Sequence, residues 1–257
     1  MTSLDWNTPR DILEKEAEKN NPEAFFFLGK GYGQGSNGCV KDEAKSAEYF
    51  QRGAAFADEG SPAAQICRAD CYLYGYGVDK DEKECVKWYQ KAANQGNAPA
   101  QSILGSIYAT GRDVDLDMKE AVKWFRKAAE QGYAPAQSKL GRCYMRGKGV
   151  EIDLSEGFKW TQKAAQQDEP FGQFCLGTYY QRGIGVAQDM TEAVRWVRKA
   201  AEQGDPVAQN QLALYYLRGD GVNKGVQEAA KWFQLAAQQG IAHAQHNLAC
   251  CYSDGEG

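Results

Sequence analysis

The sequence predicts an all-α protein built as a solenoid of stacked helix pairs, and three observations carry that prediction. Trp88, Trp124, Trp160, Trp196 and Trp232 follow one another at an unbroken interval of 36 residues. An interval held by the largest apolar side chain marks stacked supersecondary units rather than one globular core. Within each period the apolar residues fall at the 3-and-4 spacing of two amphipathic helices. Between the two helices most periods carry a pair of glycines followed by valine: Gly75, Gly77 and Val78; Gly147, Gly149 and Val150; Gly183, Gly185 and Val186; Gly219, Gly221 and Val222.

One period, from Ala100 to Gly132, illustrates the unit. Ala100, Leu104 and Tyr108 lie on one face of a first helix of about three turns that ends at Gly111. Ala121, Trp124, Phe125, Ala128 and Ala129 define a second helix, closed by Gly132 as a residue able to adopt positive φ. The paired glycines permit a tight reversal and the valine is expected to fold back onto the helix pair. The third repeat has Asp113 in place of the second glycine, a residue that tolerates the left-handed conformation at some cost. The chain re-enters a helix at Asn21-Pro22, Ser61-Pro62, Glu169-Pro170 and Asp205-Pro206, each a polar cap before proline at the first helical position.

Aligned on Ala24, Ala64, Ala100, Ala136, Gly172, Ala208 and Ala244, the chain reads as one solenoid over residues 1–257. Residues 1–23 form an N-terminal half-unit whose helix starts near Pro9 behind Thr8 as cap. Residues 24–240 hold six helix pairs, the first carrying four extra residues around Ser36 to Gly38 and Phe56 to Asp58. Residues 241–257 begin a seventh pair and stop before its second helix. A solenoid needs its terminal face covered, so either further chain beyond Gly257 or self-association through this end is expected. A scattering measurement that found only monomer would argue against the latter.

Charge and composition narrow the functional classes. Thirty basic against 34 acidic residues give a net charge of −4. No basic field is available to neutralise phosphates, which argues against nucleic acid and anionic membrane surfaces as partners. No apolar run approaches the roughly 20 residues needed to span a bilayer. The opening residues lack a basic segment followed by an apolar core, so no secretory signal is expected. The eight cysteines mostly occupy columns where small apolar residues stand elsewhere: Cys39 matches Val78 and Val114, Cys85 matches Ala121 and Ala193, and Cys71, Cys143 and Cys251 share a column with Ile107. That is the placement of buried thiols, and it favours a reducing, cytoplasmic setting.

The period phrase A-x-x-A-Q-x-x-L-G-x-x-Y-x-x-G-x-G-V-x-x-D-x-x-E-A-x-x-W-x-x-K-A-A-x-Q-G closely resembles the Sel-one-like repeat, a relative of the tetratricopeptide repeat. Residues 208–240 keep its alanine, Leu212, Tyr216, Gly219, Gly221, Val222, Ala229, Trp232 and Gly240. The resemblance implies a right-handed α/α superhelix with the first helices lining a concave surface, in proteins that act as non-enzymatic adaptors or scaffolds. A secreted, cysteine-rich branch of the family is associated with β-lactam binding and hydrolysis, which supplies the alternative reading. Its paired cysteines would fall at positions matching Ala93 and Gln101, Ala129 and Gln137, and Ala201 and Gln209; the alanines and glutamines found there put that reading in doubt.

A protein or peptide partner would be met where the repeat does not dictate the residue. In the first helices three such columns run Ser102, Ser138, Phe174, Asn210; then Ser106, Arg142, Thr178, Leu214; then Met145, Gln181, Leu217. Spaced i, i+4, i+7, they are expected to form a continuous exposed strip, flanked by the like-charged column Arg146, Arg182, Arg218. The tryptophans are expected to be the buried frame, each worth at most about 4 to 6 kcal/mol of burial.

Neither a cofactor nor a metal is expected, and no catalytic residue is identified. His243, His246, Cys250 and Cys251 have helical spacing that zinc could use, but Cys251 belongs to an apolar column. Asp113, Asp115 and Asp117 begin like a calcium loop that then has Met118 where glycine is needed and Trp124 where glutamate is needed. Cys67 and Cys71 lie one turn apart with no histidine in a neighbouring repeat to activate them.

Overall fold

A computed structural model describes Leu4 and residues 8–111 and 114–253, with the backbone alone at Ser253. Asp113, and with it the substituted glycine of the third turn, lies outside these residues, as does the end of the chain from 254 to 257. All regular structure among the described residues is helical. The helices are α1 (Arg10–Glu18), α2 (Pro22–Gln34), α3 (Glu43–Ala54), α4 (Pro62–Tyr74), α5 (Glu82–Asn94), α6 (Ala98–Thr110) and α7 (Met118–Glu130), then α8 (Ala134–Arg146), α9 (Leu154–Gln166), α10 (Pro170–Arg182), α11 (Met190–Glu202), α12 (Pro206–Arg218), α13 (Val226–Gln238) and α14 (Ala242–Ser253). They fall into two compact units, Met1–Ala128 and Ala129–Gly257, with the division inside α7.

The helix starts follow the expected chemistry. Asn21, Ser61, Asn97, Glu169 and Asp205 each accept a backbone N–H of the first turn, with proline in the first two helical positions. α1 departs from expectation: it begins at Arg10, and Pro9, which has no side-chain acceptor, takes the cap position assigned to Thr8. The extra residues of the first repeat include a 3₁₀ turn, Ala57–Glu59. Paired turn glycines have positive φ throughout, for example Gly183 at 67° and Gly185 at 70°. In the column of Gly132 and Gly204 the chain has Asp168, which holds φ at 59° while its Oδ1 accepts Gln173 Nε2 at 3.1 Å. Val78 folds back less than expected and remains 42% exposed, whereas Val150, Val186 and Val222 are half-buried and Val222 packs on the core around Val194, Val197 and Leu212.

Packing within each pair depends on a column that the tryptophans had masked. The residue after each tryptophan, namely Tyr89, Phe125, Thr161, Val197 and Phe233, is at most 3% exposed. Each faces glycine or alanine on the first helix of its own pair. A Cβ built on Gly105 would lie 2.7 Å from Phe125 Cδ1, on Gly141 2.4 Å from Thr161 Oγ1, and on Gly177 2.6 Å from Val197 Cγ2. Ala69 and Ala213 hold that column in the repeats of Tyr89 and Phe233, and both are fully buried. The tryptophans lie beside this seam. Trp88 and Trp124 are buried, but Trp160, Trp196 and Trp232 are only half-buried, which corrects the expectation of a uniformly buried frame. Their outer faces carry a lysine from the next turn: Lys91 is 3.6 Å from the Trp88 ring centroid, Lys127 4.1 Å from Trp124, Lys163 4.3 Å from Trp160 and Lys199 4.9 Å from Trp196.

A second recurring device is a glutamine ladder. Gln167 Nε2 donates to Gln137 Oε1 at 2.7 Å, and Gln137 Nε2 donates to the Ala129 carbonyl at 3.1 Å. The same pattern links Gln203, Gln173 and Ala165, and Gln239, Gln209 and Ala201. In the first unit Gln95 donates to Gln65, and Gln101 to the Ala93 carbonyl. The inner glutamines Gln65, Gln101, Gln137, Gln173 and Gln209 are buried and each takes a partner there, where an unpaired amide would cost stability. The pairs Ala93 and Gln101, Ala129 and Gln137, and Ala201 and Gln209 are the positions where the cysteine-rich branch would place its thiols. A hydrogen bond from side chain to backbone joins each pair here.

Gly177→Ala should lower stability by about 1 to 3 kcal/mol, because the added methyl meets Val197 and also the Ala193 carbonyl at 2.9 Å, which cannot swing aside. The urea midpoint measured by circular dichroism checks this.

Candidate binding surface on the first helices

The variable columns divide by burial. Ser102 and Ser138 are 2% exposed, so they do not belong to an exposed strip. Their column packs inward: the Ser138 hydroxyl donates to the Pro135 carbonyl at 3.1 Å, and Phe174 packs on the core formed around Val194, Val197 and Leu212. Asn210 in the same column is half-buried. Ser106 and Thr178 return their hydroxyls to the carbonyls of Ser102 and Phe174, at 2.9 and 3.0 Å. Leu214 and Leu217 pack on the core around Ala229, Ala230 and Phe233. Met145 fills the space opened by Gly157, where a Cβ would stand 2.8 Å from Met145 Cγ. Gln181 is half-buried.

Four arginines of the strip are exposed, and all lie in the second unit: Arg142, Arg146, Arg182 and Arg218. Arg142 lies 5.2 Å from the Phe171 ring centroid, a cation–π contact to the next first helix. Arg146, Arg182 and Arg218 are the last residues of α8, α10 and α12. Beside Arg142, Lys139 is held below its ordinary range, by burial first and then by the like charge of Arg142. Glu169 is pushed up by burial and accepts the Gly172 N–H at 2.5 Å.

The same columns extend further back in the first unit than Ser102 and Ser106, where the sequence reading began them. Lys30 and Asp70 precede Ser106 in its column and form an ion pair between α2 and α4 at 2.9 Å. Asp70 is fully buried and accepts the Tyr89 hydroxyl. Burial alone would lower Lys30, but the Asp70 carboxylate outweighs it and the net shift is upward. The ammonium also lies 5.4 Å from the Phe50 ring, beside a cleft of about 400 Å³ lined by Gly33, Ser46, Phe50, Tyr74 and Tyr76. A 36-residue spacing between opposite charges does not by itself signal a pair, although the displaced register of the first repeat hides even that: Lys30 and Asp70 are 40 apart.

The cysteines offer little nucleophilic chemistry. Seven are buried and Cys250 is exposed, its Sγ 3.8 Å from His246 Nε2. Burial, with Asp70 adding to it, raises Cys67 well above the thiol range and Cys71 to about 12. Both stay protonated and unreactive at neutral pH. Among the described residues no group of three or more metal-ligating side chains comes together, and no helix is long and apolar enough to cross a membrane.

The model of the Sel1 repeat matches residues 22–55, 62–97, 98–133, 134–169, 170–205, 206–241 and 242–257. The chain belongs to the Sel1 repeat family. Sel1 solenoids are also its structural neighbours. A protective antigen of uropathogenic Escherichia coli with an SLR fold is 35% identical with a TM-score of 0.68, the match covering 97% of this chain and 52% of that one. A Sel1 repeat protein from Oxalobacter formigenes is 33% identical with a TM-score of 0.69, over 93% of this chain and 69% of that one. Chitin synthase regulatory factor 3 of Schizosaccharomyces pombe is 33% identical over 88 residues, 32% of this chain and 9% of that protein. The chain thus spans about half of the bacterial antigen and a small part of the yeast protein. Sel1 repeat proteins are generally protein-interaction scaffolds.

Two measurements follow from the burial pattern. With Ellman's reagent the native protein should show one fast thiol, lost in Cys250→Ser, and seven that react only on unfolding. Cys71, Cys175, Tyr179 and Tyr215 are all pushed up to about 12 by burial, so the folded chain keeps protons that the unfolded chain releases above its ordinary thiol and phenol values. Stability should therefore be insensitive to these groups below about pH 8 and fall as pH rises from about 9 toward 12, read as a falling urea midpoint.

Proposed function

We propose that this chain is a non-enzymatic interaction scaffold that binds a protein or peptide partner on the surface formed by its first helices. The observation that carries the reading is the division of labour between columns. Positions that build the repeat are apolar, glycine or glutamine and are consumed in packing. On α8, α10 and α12 the positions outside the packing columns are half-buried or exposed and change from repeat to repeat (Arg142, Thr178, Leu214; Met145, Gln181, Leu217), beside the constant exposed Arg146, Arg182 and Arg218. Repetition accounts for the fold, and a surface that varies within a fixed frame is what partner recognition requires. Family membership supports the same class of function, and the protonated buried thiols weigh against a nucleophilic enzyme.

The test is affinity capture with crosslinking and mass spectrometry, comparing two surface variants of equal charge change. Replacing Arg146, Arg182 and Arg218 by glutamate should lose the specifically retained proteins while leaving helical circular dichroism unchanged. Replacing Lys159, Lys231 and Arg195 on the second helices by glutamate should retain them. If both variants capture the same proteins as the parent, binding does not run through the first helices.

A further inference from the structure

We infer that the arginine column of the second unit is a docking site for an extended, acidic segment of a protein partner, one with carboxylates at every third residue. The inference rests on the scaffold reading and names the chemistry of what that surface takes.

Much of the charge that the repeat pattern sets on the second helices is neutralised locally. On the outer face of the second helices each repeat carries a glutamate three residues before a basic residue: Lys159 with Glu156, Arg195 with Glu192 and Lys231 with Glu228 pair at 2.5 to 3.1 Å in the second unit. The first helices break this rule. Among the described residues Arg146, Arg182 and Arg218 form no ion pair, and Arg142 makes a cation–π contact with the Phe171 ring instead of one. Lys139 beside Arg142 is held below its ordinary range, by burial first and then by the like charge of Arg142.

Helix capping does not explain the arginines. A cation at a helix end is favoured by the dipole, but α2, α4 and α6 end at the equivalent place with Gln34, Tyr74 and Thr110. All six helices are closed by the same left-handed glycine, at φ between 64° and 79°. The end is built without arginine.

The column also has a direction. Arg146, Arg182 and Arg218 end α8, α10 and α12 in turn, so the three recur at the same place on successive first helices of the second unit. Packed helices stand about 8 to 10 Å apart. An extended chain advances about 3.3 Å per residue, so three residues span roughly 10 Å. At that helix spacing a peptide laid along the column would meet a new arginine at about every third residue, and a bidentate guanidinium is well suited to a carboxylate there. The net charge of −4 over the whole chain gives such a peptide no general attraction to the protein.

Fluorescence anisotropy with the full chain and labelled 12-residue peptides tests this. Four peptides of matched length are needed: glutamate at every third position, the same glutamates in one block, lysine at every third position, and an uncharged control. A single-stranded oligonucleotide of the same charge as the glutamate peptides serves as a fifth probe. The spaced glutamate peptide should bind at least about tenfold tighter than the blocked one, weaken strongly from about 50 to 500 mM salt, and lose at least about tenfold with Arg146→Gln, Arg182→Gln and Arg218→Gln together. Glutamine is the residue with which α2 already ends at this place. Lys159→Gln with Lys231→Gln should change nothing. Equal binding of the spaced and blocked peptides, no binding of either, retention by the triple variant, or equally tight binding of the oligonucleotide each overturns the inference. The scaffold reading stands or falls separately, on whether capture of proteins of any chemistry depends on the first helices.

Discussion

The close approach of the two helices in each pair is the constraint on which the rest of the structure depends. Gly105, Gly141 and Gly177 leave no room for a methyl group against Phe125, Thr161 and Val197. Because the first helix contributes a bare backbone, the second can set a side chain of varied size against it and still bury it at most 3% exposed. Loss of a methyl's packing at glycine is offset by dispersion contacts made along the whole seam. The glycine must stay small, while its partner need only fill what is left. That asymmetry explains why one column is limited to glycine and alanine and the other runs from threonine to tyrosine.

Much of this frame was legible because it repeats. The 36-residue interval located every helix pair after the first, and the polar residue before proline located four of the helix starts. Periodicity, however, reports which residue recurs and not how deep it lies. Tryptophan recurs most visibly, yet the residue after it is the more buried in every repeat; its identity changes, so no column catches the eye. The converse error affected the first helices. Ser102 and Ser138 vary between repeats and are polar, which reads as surface, but each is small enough to be enclosed between neighbours. Arg142, Arg146, Arg182 and Arg218, too long and too strongly charged to be enclosed without a partner, were placed correctly on the surface by the same reading.

The two units treat charge on their first helices differently. In the first, Lys30 and Asp70 occupy neighbouring repeats of one column and neutralise each other at 2.9 Å, with the Tyr89 hydroxyl completing the carboxylate. That cluster is enclosed, and removing either charge would strand the other. In the second unit the corresponding column holds Arg142, Thr178, Leu214 and Cys250, and α8, α10 and α12 each end on arginine. Among the described residues no carboxylate pairs with Arg146, Arg182 or Arg218. A solenoid can carry both arrangements because each first helix leaves its outer residues outside the helix-pair seam.

The glutamine ladder carries a consequence for how such a chain can change in length. Every rung donates in the same sense, from a glutamine at the end of one second helix to the glutamine that opens the first helix 30 residues earlier, and from there to an alanine carbonyl eight residues earlier still. Cutting out one whole period, or copying one, would rejoin a donor to an acceptor of the same kind at the same height, and would leave no buried amide stranded. The number of repeats is thereby uncoupled from the chemistry that joins them, and a lineage can lengthen or shorten the array by recombination without redesigning a junction.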